Sequence, residues 1–159
     1  MDAKCSEVLI RKVSDKDIDA IVALTRDEFK SASIDARIEE MIGGTPWIIV
    51  KAGTVRSELE RNPGGCFVAV AEGNTVGYIT TTVNAAASRG IIANLVVSSK
   101  YQRRGIGRKL LNEALAYFRR CGLVQAKIET LDSNEVGMRL YPLLGFREVA
   151  RQIHYIMPL

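Results

Sequence analysis

Histidine is nearly absent: the 159-residue chain has one, His154. A single imidazole leaves one candidate for catalysis by a Ser/His/Asp or Cys/His set, and no G-x-S-x-G elbow accompanies it. Hydrolase readings of that type are therefore set aside. Cysteine is scarce too. Cys5, Cys66 and Cys121 are odd in number and far apart, with no C-x-x-C, which argues against a disulfide framework or a zinc site, so no metal is expected. No apolar run approaches the roughly 20 residues of a membrane span. The opening residues carry Asp2, Lys4, Glu7, Arg11 and Lys12, so they lack the apolar core of a secretory signal. A soluble, reduced, cytoplasmic protein is the expectation.

What is present suits one compact domain over residues 1–159, with 47% hydrophobic residues and a length that buries most of the surface of the unfolded chain. Lys+Arg number 22 against Asp+Glu 18, a formal net charge of +4. That excess is modest, so its location matters more than its size.

Val8, Ile10 and Val13 make a short opening strand, after which Ser14-Asp15 can cap a helix through Ile18, Ile21, Val22 and Leu24. Ile34, Ile38, Met41 and Ile42 read as helical, Gly43-Gly44 breaks the run, Val55 and Leu59 predict another short helix, and Asn62-Pro63-Gly64-Gly65 ends it. Cys66 to Ala71 and Val76 to Val83, joined by Glu72-Gly73-Asn74, read as an antiparallel hairpin. Ile91 to Val97 is apolar on both sides and should be central. From Ile106, apolar positions Leu110, Leu111, Ala114, Leu115 and Phe118 recur with helical period, and Arg119-Arg120-Cys121-Gly122 stops the helix. Val124, Ala126 and Ile128 alternate with polar residues as a strand. Asp132-Ser133-Asn134 offers caps for a helix through Val136 and Leu140, Gly145 ends it, and Phe146–Val149 and Ile153–Met157 are expected as two closing strands. The order predicts an α/β fold whose mixed, mostly antiparallel central sheet has six or seven strands and helices on both faces.

The segment Leu95-Val96-Val97 to Arg108 reads as a buried strand, a turn and a helix start. Gly105 and Gly107 permit close backbone approach. The first turn of a helix has N–H groups without internal partners and a partial positive charge, which suits a phosphate. Arg103, Arg104 and Arg108 add guanidinium groups able to grip phosphate oxygens. A tight turn with solvated arginines is the plainer reading of these residues alone. A third glycine at dinucleotide spacing is missing, and there is no G-x-x-x-x-G-K-[ST].

Tyr101-Gln102-Arg103-Arg104-Gly105-Ile106-Gly107 after Leu95-Val96-Val97 resembles the acyl-coenzyme A motif of the GNAT superfamily of N-acetyltransferases, Q/R-x-x-G-x-G/A at a helix start. Asn134 with Leu140-Tyr141-Pro142-Leu143-Leu144-Gly145-Phe146 resembles that family's second cofactor motif. The match runs from about Phe67 to Phe146.

The resemblance implies the acyl-CoA N-acyltransferase fold and acetyl-CoA as co-substrate, its pantetheine lying against Leu95, Val96 and Val97 where the strand splays from the next. A main-chain N–H near Val97 would polarise the thioester carbonyl. Gln102, Arg103, Arg104, Gly105, Ile106, Gly107 and Arg108 would take the pyrophosphate, with Asn134 and Tyr141 completing the cofactor site. Tyr141 would donate a proton to the departing thiolate; from its neighbours alone it also reads as a core aromatic, and Asn134 as a helix cap. Many relatives carry an acid near Asn94, and an amide cannot act as that base. Glu72, Glu129 and Asp132 are the candidate substitutes. Pro142 is unusual inside a helix and restricts Tyr141.

His154 and Tyr155, with Glu28 and Glu39, are candidates for the acceptor side, although a lone histidine is more often structural. The implied function is transfer of an acetyl group to a primary amine of a small molecule, protein or peptide, with a homodimer common in the family. The acceptor stays open among polyamine, antibiotic, amino acid and protein terminus. A non-catalytic acyl-CoA module is the alternative class. A nucleic-acid binder is weaker, because no aromatic-basic pattern accompanies the charge.

Overall fold

The computed structural model describes residues 7–159. Its sheet has five strands in chain order: β1 (Leu9–Lys12), β2 (Phe67–Ala71), β3 (Asn74–Asn84), β4 (Arg89–Val97) and β5 (Gln125–Ile128). The first four pair antiparallel and β5 runs parallel to β4. Helices α1 (Ile18–Glu28), α2 (Ile34–Ile42) and α3 (Trp47–Arg61) lie between β1 and β2. Helix α4 (Ile106–Arg120) crosses from β4 to β5, and α5 (Glu135–Leu143) follows β5.

Alternation along the strands gives the sheet two apolar faces. One packs Phe67, Ala69, Val76, Ile79 and Ile92 against Ile106, Leu110, Leu111, Ala114 and Phe118 of α4. The other packs Val68, Tyr78 and Val96 against Ile21 of α1 and Val55 and Leu59 of α3. Helices thus cover both faces, as the order of elements predicts. β4 is central, and its apolar character on both sides follows from that place. The β2–β3 turn needs positive φ at Glu72 (52°) and Gly73 (78°), the twist-matched pattern of two-residue hairpins.

Two expectations need correction. The sheet has five strands rather than six or seven, because Phe146–Val149 and Ile153–Met157 form none. Phe146 is held, its N–H bonding the Tyr141 carbonyl and its ring packing edge-on to Tyr141. Beyond it, Val149, Ile153 and Tyr155 are 95%, 79% and 89% exposed; β-branched residues without a packed partner do not make a strand. The helix expected as a short piece at Val55 and Leu59 is α3, which starts at Trp47. Its opening N–H is met by Glu39 of α2 at 2.7 Å, a cap eight residues away that local reading does not anticipate. Pro142 stays inside α5 in its last turn, where only one more helical residue follows it, so Tyr141 lies near a helix end.

A bulge in β4 sets the geometry of everything below. Thr80 opposes Asn94 and Thr81 opposes Ile92, so Ala93 is an extra residue. Strict alternation would put Ile92, Asn94 and Val96 on one face. The bulge instead keeps Ile92 over α4 and turns Asn94 and Val96 to α1 and α3, the re-aiming expected of such insertions.

Candidate acyl-coenzyme A site

β4 and β5 pair only from Arg89↔Gln125 to Ile92↔Ile128. From Ala93 to Val97 the β5 side of β4 has no ladder partner, while β3 continues to pair with it as far as Val97. The two parallel strands therefore part in a wedge that closes at Ile92 and opens toward the loop before α4.

At the wide end, Gln102 donates from Nε2 to the Val97 carbonyl at 3.0 Å, pinning the loop to the strand. Arg103 has φ 60° and Gly105 φ 76°; the left-handed Gly105 is the N-cap of α4 and supplies no side-chain cap, the kind of position where a missing Cβ removes the steric cost. The first helical bond is Lys109 N–H to Gly105 O at 3.0 Å. The N–H groups of Gly105, Ile106, Gly107 and Arg108 consequently meet no protein acceptor among the described residues. Four orphan donors at the positive end of a 15-residue helix make an anion site. Arg103, Arg104 and Arg108 are exposed around it and in no ion pair among the described residues. Arg104 is stacked over the Tyr101 ring at 5.0 Å.

Gly107 joins the parts. A Cβ built there would lie 3.6 Å from Leu140 of α5 and 3.9 Å from both Leu95 and Val97 of β4. Helix start, open strand and α5 thus meet at one place, and the absent side chain keeps the backbone accessible between them. Tyr141 packs against the same core, its ring so close to Gly137 that a Cβ there would stand 2.8 Å away. Burial pushes the Tyr141 phenol up, which keeps it protonated and able to donate. Asn134 is used as a cap: Oδ1 accepts from the Gly137 N–H at 3.2 Å and Nδ2 donates to Thr130 Oγ1 at 2.9 Å.

The structure brings Leu95, Val96, Val97, Gln102 to Arg108 and Tyr141 around one wedge and leaves other candidates outside it. Glu72 sits in the β2–β3 turn, Glu129 pairs with Lys127 and Asp132 is exposed; none touches Asn94. Glu28 receives the Ser99 N–H at 2.8 Å, Glu39 caps α3, and His154 and Tyr155 lie exposed on the terminal segment.

The sequence reading missed Glu58. This α3 residue is 9% exposed, and its Oε2 accepts from Thr80 Oγ1 at 2.7 Å and from Asn94 Nδ2. Burial pushes its carboxyl up, while Thr80, Lys51, Asn94 and Arg61 hold it down. Its signal was spacing: Val55, Glu58 and Leu59 stand at i, i+3 and i+4, so the acid falls on the buried stripe.

Comparison with known proteins identifies the family and the fold. The sequence pattern of the acetyltransferase (GNAT) family matches residues 20–146. The chain is similar to the N-alpha-acetyltransferase RimI of Mycobacterium tuberculosis, 32% identical over 139 residues, covering 85% of this chain and 82% of that one. It is also similar to the N-alpha-acetyltransferase MAK3 of Arabidopsis thaliana, 34% identical over 97 residues, 60% of this chain and only about half (51%) of the plant protein. The fold is shared with the PaiA N-acetyltransferase of Thermoplasma acidophilum solved in complex with coenzyme A, at TM-score 0.71, 20% identity and coverage of 89% and 90%. This chain belongs to the acetyltransferase (GNAT) family.

Proposed function

We propose that this chain, as one domain, moves the acetyl group of acetyl-CoA to a primary amine by direct attack, with no covalent enzyme intermediate and no metal. The observation that carries the reading is the opening of α4, where four N–H groups and three arginines without a protein partner among the described residues border the open edge of β4. That combination fits a pyrophosphate joined to an extended, amide-bearing arm. Gly105 to Arg108 take the diphosphate with Arg103 and Arg104 beside it, and Gln102 holds the Val97 carbonyl in place. Leu95 to Val97 offer backbone groups to the pantetheine, and a main-chain N–H near Val97 on the open edge polarises the thioester carbonyl as charge develops on it. Tyr141 protonates the leaving thiolate. Asn134 contributes by capping α5 and so fixing Tyr141.

Proteins similar to this one are named N-alpha-acetyltransferases and N-acetylaspartate synthetases, which favours an α-amine as acceptor, whether of an amino acid or of a protein or peptide terminus. The free thiols of Cys66 and Cys121 fit a reducing cytoplasm, and a homodimer is compatible with the reading.

The test is a panel of amino-terminal peptides, polyamines and aminoglycosides incubated with the protein and acetyl-CoA, with free thiol as readout. Sustained thiol release with at least one amine is expected. Tight acetyl-CoA binding with no release for any of them would replace the enzyme with a non-catalytic acyl-CoA module.

A further inference from the structure

The polar cluster at the narrow end of the wedge is buried where an apolar core would serve folding better. Asn94 is 2% and Thr80 0% exposed. Thr80 donates to Glu58 Oε2 at 2.7 Å, and Asn94 Nδ2 reaches both Glu58 Oε2 and, at 2.7 Å, Thr80 Oγ1. Two acceptors are left over. Asn94 Oδ1 is the one buried side-chain atom without a partner among the described residues, and native folds rarely leave such an atom unpaired without a reason. Glu58 Oε1 is likewise without a hydrogen bond but is not sealed.

Their position is informative. Pairing with β5 ends at Ile92, Ala93 bulges out, and Asn94 is the next residue. A pantetheine arm that enters from the α4 end runs toward this vertex, so its thioester arrives close to Asn94, on the opposite side of the sheet from α4.

We propose that Glu58 is the proton acceptor for the incoming amine, and that Asn94 is the positioning residue whose Oδ1 receives one of that amine's hydrogens. The proposal rests on the acetyl-transfer reading above. In the step, an N–H bond of the ammonium breaks and its proton passes to the Glu58 carboxylate. The freed lone pair forms the C–N bond at the thioester carbonyl. Collapse breaks the C–S bond, Tyr141 gives its hydroxyl proton to the thiolate and regains one from the new amide nitrogen, and Glu58 returns its proton to solvent through Oε1. The sum is ammonium plus thioester giving amide, thiol and one proton.

The surroundings suit that task. Lys51 and Arg61 of α3 are the cations whose charge reaches Glu58, and Cys66 and Tyr78 face it as neutral groups. Burial outweighs these cations and pushes the carboxyl up, which makes it a stronger base. The carboxylate is supplied by α3 and tied to β4 through the Asn94 amide.

The experiment uses the full chain, acetyl-CoA and the amine that turns over fastest in the panel. Glu58→Gln should lower kcat about 100-fold, the low end of what general-base removal costs, with the KM for acetyl-CoA unchanged. The acidic limb of the wild-type pH–rate profile should vanish and be replaced by one that follows the amine's own deprotonation. Adding Asn94→Asp to Glu58→Gln moves the carboxylate across the hydrogen bond and should recover about tenfold of the lost rate. A Glu58→Gln enzyme with wild-type kcat and pH profile, or a double variant without recovery, overturns the assignment while the acetyltransferase reading stands. A wild type that acetylates nothing overturns both. If Glu58→Gln loses acetyl-CoA affinity through misfolding, Glu58→Asp decides: a base withdrawn by one methylene lowers kcat but keeps the acidic limb, and an unchanged kcat overturns the proposal.

Discussion

The two sides of the sheet present different kinds of group to the wedge. On the α4 side the groups on offer to a cofactor are backbone: N–H groups at a helix start that meet no acceptor among the described residues, an unpaired strand edge, and glycines that keep both accessible. On the α1–α3 side the groups at the vertex are side chains, Glu58, Thr80 and Asn94. A backbone site depends on spacing, because only certain residues allow the chain to take that path. A side-chain site depends on which surfaces three separate elements bring together; spacing can place an acid on a buried stripe, as for Glu58, but does not say what it meets there.

Striking the two halves separately separates their roles. Tyr141→Phe should lower kcat about 100-fold or more, as loss of a general acid does, with the calorimetric affinity for acetyl-CoA held; equal turnover would remove Tyr141 from the chemistry. Charge reversal of Arg103 and Arg104 to Glu should do the converse. Acetyl-CoA affinity should fall about 100-fold, at about 1.5 kcal/mol or more for each charge-assisted hydrogen bond removed, with thermal stability unchanged, since both side chains are exposed and make no ion pair among the described residues. Gly137→Ala tests the link between them. Its Cβ would stand 2.8 Å from the Tyr141 ring and 2.9 Å from Asn134 Nδ2, so kcat should fall about tenfold through a displaced tyrosine, within the range that misplacing a catalytic group costs, and affinity should fall less.

A fourth substitution lies away from both halves and serves as their control. Asp17 is buried and takes two bonds from Arg11, at 2.7 and 2.8 Å, with others from Ser14 and Thr75. The Arg11 guanidinium, ahead of the Ser14 hydrogen bonds, holds its carboxyl far below the usual range. A carboxyl depressed on folding stabilises the native state fully above its unfolded value near 3.9 and progressively less as pH falls below that. Denaturant titrations should therefore show Asp17→Asn about 2 kcal/mol less stable at pH 7, with the difference shrinking toward pH 2. Cofactor affinity should not change, and a change would mean that the scaffold and the site are not separable.

Legibility in the sequence followed the same division. Gln102 to Arg108 and the α4 pattern were readable because glycines, cations and apolar period all fall within one short stretch. The bulge at Ala93 was not, since Ile92, Asn94 and Val96 alternate without a break and only the register with Thr80 and Thr81 reveals the extra residue. Glu58 went unnoticed for a related reason: an acid in a helix reads as solvated until the strand beneath it is known. The start of α3 was hidden because its cap comes from Glu39 in another helix. The alternation around Val149, Ile153 and Met157 predicts closing strands, but it reports propensity and not a partner to pair with.

Everything proposed for the cofactor requires a diphosphate seated on the first turn of α4. Amide chemical shifts recorded while coenzyme A is titrated into the isotope-labelled protein measure that seating directly. The predicted result is that the largest shifts fall at Gly105, Ile106, Gly107 and Arg108, with a second group at Val96 and Val97. Saturable binding that leaves those six amides in place would contradict it.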